Sequence, residues 1–117
     1  MVRVLVTVTP RMYRQAIALS IQRQRTGLEV RVASPEATGR ELSDFRPHLL
    51  VHNDDDGLGP EALTEIPFHI EVQYSDGMDA HIIADGELST VRDMSTEDLL
   101  GVVDRAIALA DQETPQS

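Results

Sequence analysis

The chain has 117 residues, of which 41% are hydrophobic and 26% charged, a composition that fits one globular domain with a core of its own. It contains no cysteine, which excludes disulfides, thiolate nucleophiles and thiolate metal sites. A net charge of −10 and an aromatic content of 3% argue against a counterion-releasing nucleic-acid footprint and against a base-stacking surface.

Val2, Val4, Leu5, Val6 and Val8 form a β-branched run that reads as a central parallel strand, apolar on both faces. The same run is too short and too interrupted by Arg3 for a signal peptide, and no stretch approaches a membrane helix, so a cytoplasmic location is the expectation. Thr9 and Pro10 then open a helix, with proline at the first position, where its missing N–H costs nothing. Tyr13, Ala16, Ile17, Ser20 and Ile21 are expected to form its buried stripe, and Arg11, Arg14, Gln15, Gln22 and Arg25 its wet face, until Gly27 stops it.

Leu28 to Ala33 alternates as an edge strand, apolar at Leu28, Val30 and Val32 and charged at Glu29 and Arg31. Ser34-Pro35-Glu36 starts a short helix running to about Phe45, and Pro47 forces an extended entry into a third strand, His48 to Asn53. This strand–helix alternation predicts right-handed parallel α/β units. Pro60 to Ile66 has room for only two helical turns before a fourth strand, Phe68 to Tyr74. Five residues, Ser75 to Asp79, then lead to the next strand, Ala80 to Ala84. A parallel crossover needs about a dozen, so this connection must be a hairpin. Asp85-Gly86 is a second hairpin signal before Glu87 to Asp93, and Ser95 or Thr96 caps a last helix with Leu99, Leu100, Val103, Ile107 and Ala110 on its buried stripe. The expected fold is therefore a three-layer α/β sheet, parallel strands 2-1-3-4 continued by an antiparallel meander and a C-terminal helix. It forms one domain over residues 1–111, followed by a flexible polar tail over 112–117.

The proline-started first helix, the strand ending at Asn53, and the final amphipathic helix together resemble the response-regulator receiver family, or more broadly a flavodoxin-like architecture. The resemblance covers residues 2–57 and 95–111. It implies a phosphoryl-accepting aspartate where this chain has Asn53, an acidic pair where it has Thr7 to Thr9, and a lysine where it has none, since all ten basic residues are arginine. Arginine-only usage is explained more simply by genomic base composition than by function. An amide nitrogen has no free lone pair for attack on phosphorus, its pair being delocalised into the carbonyl. The resemblance thus implies a degenerate pseudo-receiver, a stand-alone, non-catalytic module acting in signalling or regulation through protein–protein contacts.

In an open α/β sheet, ligands sit at the carboxyl ends of the strands. That rule gathers Thr7, Thr9, His52, Asn53 and Ser75 into a candidate ligand or interaction rim. Asp54, Asp55 and Asp76 there are oxygen donors suited to a hard divalent cation, the alternative reading being a small metal- or phosphate-binding protein or enzyme. Against it, the Asn-Asp-Asp-Asp-Gly run lacks the calcium-loop glutamate, and consecutive aspartates point in different directions. No cofactor is expected otherwise. His48 and His52 share a strand face, and His69 and His81 are placed to face each other across the first hairpin.

Charge is divided unevenly along the chain. Residues 1–40 hold seven arginines against Glu29 and Glu36, and the remainder holds three arginines against eighteen acids. Unlike faces of two copies could therefore attract each other, and a homodimer through the meander edge or the last helix is the partner expectation. Neither nucleic acid nor membrane is expected as a partner.

Overall fold

The computed structural model describes residues 2–9, 11–53, 66–72, 79–84 and 87–113, with side chains up to residue 109. Its elements are β1 (Val2–Val6), α1 (Arg11–Gln24), β2 (Leu28–Val32), a 3-10 turn (Pro35–Ala37), α2 (Thr38–Phe45), β3 (Leu49–Asn53), β4 (Phe68–Val72), β5 (Ala80–Ala84), β6 (Glu87–Val91) and α3 (Thr96–Glu113). Six strands form one sheet in the order β2-β1-β3-β4-β5-β6. The first four are parallel, and β4, β5 and β6 form an antiparallel meander.

Strand alternation divides the core into two layers. Val4, Val6, Leu49, Val51, Phe68, Ile70, Ala80 and Ile82 face α1 and α3, meeting Ile17, Ala18, Ile21, Leu99, Val103 and Ala106. Leu5 and Leu50 face the other way and pack with Phe45 and Ile66 beneath α2. Burial of β3 is complete along its length, as expected for a central parallel strand covered on both faces. Arg31 helps to hold α2 in place. Its guanidinium lies 4.3 Å from the centre of the Phe45 ring and 3.0 Å from Glu41.

Two expectations about α1 need correction. Tyr13 is 52% exposed and Ala16 is exposed, whereas Ala18 is buried. Its seven apolar residues are spread over much of the helix circumference among seven polar ones, so periodicity alone does not single out its buried side. Nor is Arg14 simply on the wet face: its Nη1 donates to the Ala33 carbonyl at 2.8 Å. Arg25 pairs with Asp104 of α3 through two hydrogen bonds of 2.7 and 3.0 Å, which hold the Asp104 carboxyl below its usual range. On α3 the buried stripe is Leu99, Leu100, Val102, Val103 and Ala106, with Ile107 only partly buried.

The start of α3 is closed by a reciprocal cap. Ser95 Oγ accepts from the Asp98 N–H at 3.1 Å, and Asp98 Oδ2 accepts from the Ser95 N–H at 3.0 Å. These bonds hold the Asp98 carboxyl below the ordinary carboxylate range. The cap's contribution is therefore present above that range and fades as acid protonates Asp98. Ser95→Ala should lower the thermal midpoint by about 3–5 °C at pH 7 and by less at pH 3, measured by circular dichroism.

Candidate functional site

The carboxyl ends of β1 and β3 lie side by side, and Asn53 closes this edge. Its side chain is 3% exposed. Its Oδ1 accepts two hydrogen bonds from one residue, the Thr9 N–H at 2.6 Å and the Thr9 hydroxyl at 3.0 Å. Two donors converging on one atom require that atom to be the oxygen, which fixes the orientation of the amide. The loop leaving β1 is thereby tied to the head of β3. Thr7 is buried beside them; its N–H donates to the Val51 carbonyl at 2.8 Å, and its hydroxyl has no hydrogen-bond partner among the described residues.

The structure therefore brings Thr7, Thr9, His52 and Asn53 together at the strand ends. Ser75, Asp54, Asp55 and Asp76 lie outside the described residues. Among the described residues, no group of three or more histidine or acidic side chains could hold a metal ion.

His52 is buried, and its Nδ1 lies 3.0 Å from the Asn53 carbonyl oxygen. A carbonyl only accepts, so the proton of this contact sits on Nδ1. The histidine pairing differs from the expectation. Across the β4–β5 hairpin His69 is opposite Ile83 and His81 is opposite Glu71. The two rings that meet belong to neighbouring parallel strands, His52 on β3 and His69 on β4, with centroids 5.6 Å apart and planes tilted by 39°. Parallel register causes this: Leu50 is opposite His69 and His52 opposite Glu71, so the two imidazoles are diagonal neighbours. His48 precedes β3, and its Nδ1 accepts the Arg3 N–H at 3.0 Å. Burial, aided by the charge of His52, pushes the His69 imidazole down to about 4. Its Nδ1 is buried without a hydrogen-bond partner among the described residues.

At this edge the Asn53 side chain braces the loop leaving β1 against the head of β3. The carboxamide oxygen is occupied by Thr9, and an amide supplies neither a nucleophile nor a charge for a cation. Sequence reasoning missed a second feature, a groove of about 200 Å3 between α1 and the start of α3. It is lined by Tyr13, Ala16, Ile17, Ser20, Met94, Ser95, Thr96 and Leu99. Met12, Tyr13 and Leu19 of α1 all remain exposed.

Among the described residues, no helix is long and apolar enough to cross a membrane. The strand order and layers resemble flavodoxin-like and receiver-like sheets. No protein-family model matches the chain, and no curated protein or solved structure matches it.

Proposed function

We propose that this chain is a non-catalytic pseudo-receiver module that acts in regulation through protein–protein contacts, a second copy of itself included. The observation that carries the reading is the double hydrogen bond from Thr9 into Asn53 Oδ1. At the position where a phosphoryl-accepting carboxylate would stand in a receiver, the side chain is spent on holding the β1 loop. With no lysine in the sequence, no side-chain ammonium is present to neutralise a phosphoryl group there. The exposed apolar side chains of α1, and the exposed β6 edge strand with Leu88 at its surface, supply contact surface.

The test is incubation of the full chain with acetyl phosphate and magnesium, followed by intact-mass spectrometry. The expected spectrum is that of the unmodified chain. A stable acyl-phosphate adduct, labile to hydroxylamine, would overturn the non-catalytic reading.

A further inference from the structure

Gly101 lies in the middle of α3, where glycine weakens a helix relative to alanine. Nothing among the described residues requires it. Its position is exposed, its φ is not left-handed, and a Cβ built there meets no atom within 4 Å. A glycine with open space above it permits close approach by something outside the chain. On the same side of α3, Glu97, Asp104 and Ala108 recur at helical spacing and are exposed, so this strip is low and acidic.

The neighbouring helix has the opposite character. Met12, Ala16, Leu19 and Arg23 recur at the same spacing on α1 and are exposed, Met12 at 74% and Leu19 at 46%. Among the described residues Arg23 makes no ion pair, and α1 contains no acid at all. The two helices run the same way. Tyr13 and Ala16 line the groove beside Ser95 and Leu99, and further along Arg25 pairs with Asp104. Leu19 thus lies within about one helical turn of the level of Gly101, and Arg23 within about one turn of Asp104.

We propose that this face docks a second copy of the chain about a two-fold axis running along the groove. Such an axis exchanges the two strips while keeping their direction. The α1 of each copy lies over the α3 of the other, Leu19 over the gap at Gly101, Met12 over the groove mouth near Ser95, and Arg23 between Glu97 and Asp104, the latter already held by Arg25 of its own chain. Large apolar groups meet small ones, and the single guanidinium of Arg23 meets the acidic side of α3, twice over. Local charge pairing of this kind offsets the repulsion between two chains that each carry −10. The proposal rests on the protein-contact reading above and names its partner.

Absence of cysteine makes the test direct. Leu19→Cys and Gly101→Cys chains are prepared separately, mixed, and oxidised. The expected product is a disulfide between the two different chains, formed at least about tenfold faster than either homodisulfide. Leu19→Glu and Gly101→Leu should each weaken association at least about tenfold while leaving the helical circular dichroism unchanged, since both positions are exposed in the single chain. A chain that stays monomeric into the high micromolar range, or a dimer indifferent to both variants, overturns the proposal. A dimer abolished by Leu88→Lys alone also overturns it and moves the contact to the β6 edge, leaving the protein-contact reading intact. An acyl-phosphate adduct would strike that reading and not the dimer.

Discussion

Replacing Asn53 with alanine should destabilise the fold by about 2–4 kcal/mol, measured by urea denaturation at pH 7. The substitution removes one acceptor and strands two donors, the Thr9 N–H at 2.6 Å and the Thr9 hydroxyl at 3.0 Å. A hydrogen bond contributes about 1 kcal/mol net, but a donor left unpaired away from water costs about 1–3 kcal/mol more. Thr9→Val removes only the hydroxyl and should cost about 1 kcal/mol, because the backbone donor keeps its partner. In the double variant the two effects should sum to less than their separate costs, since one bond is counted in both. Asn53→Asp is the informative contrast. A carboxylate offers both donors the same oxygen, with stronger charge-assisted bonds, against the penalty of ionising a side chain that is 3% exposed. It should therefore be far milder than alanine. An aspartate variant as damaging as the alanine one would mean that the donors are not what holds this side chain.

The brace also shows which parts of this protein can be read from its sequence. The end of the third strand at Asn53 was legible because Pro47 forces an extended entry and the run Leu49-Leu50-Val51 suits only a buried strand. The antiparallel meander was legible for a steric reason: five residues between Tyr74 and Ala80 cannot carry a parallel crossover. Gly27, with φ of 76°, ends the approach to β2 as a helix-stopping glycine should. These are constraints of chain length and backbone freedom, and they act locally.

What failed depends on relations between distant segments. Hairpin proximity pairs His69 with His81, whereas the contact with His52 follows from the offset of β3 against β4, which no turn between them dictates. Arg25 reads as a wet-face residue until α3 brings Asp104 to it across 79 positions. The stripe of α1 could not be chosen from seven apolar residues spread around the helix, and its mistaken assignment concealed the exposed strip of Met12, Ala16 and Leu19. Of the candidate rim, Thr7 and Thr9 were found by a rule about strand ends. The bond that gives Asn53 its role involves residues 44 apart and emerges only from the fold.

His69→Leu should remove most of an acid sensitivity built into the β3–β4 seam. In the unfolded chain the imidazole titrates near 6.5, and in the folded chain it is held down to about 4. Above pH 6.5 both states are neutral, and the histidine contributes nothing to the pH dependence. Between pH 6.5 and 4 the unfolded state binds the proton and the folded state does not, so stability falls steadily as pH falls. Below about 4 the full penalty is present. A shift from 6.5 to about 4 sets an upper bound of about 3 kcal/mol, which we reduce to about 2 kcal/mol because the ring, at 7% exposed, keeps slight contact with water. Leucine suits the site: the rung carries Leu50 on one side and Ile83 on the other, and the orphaned Nδ1 is lost with the ring. At pH 7.5 the variant should therefore match or slightly exceed the parent in stability. At pH 4.5 it should exceed the parent by about 2 kcal/mol. His52 and Glu71 face the same site from β3 and β4, and His81 from β5. Urea midpoints at the two pH values decide the matter. An unchanged difference between pH 7.5 and pH 4.5 in the leucine variant would mean that the seam's acid response resides in another group.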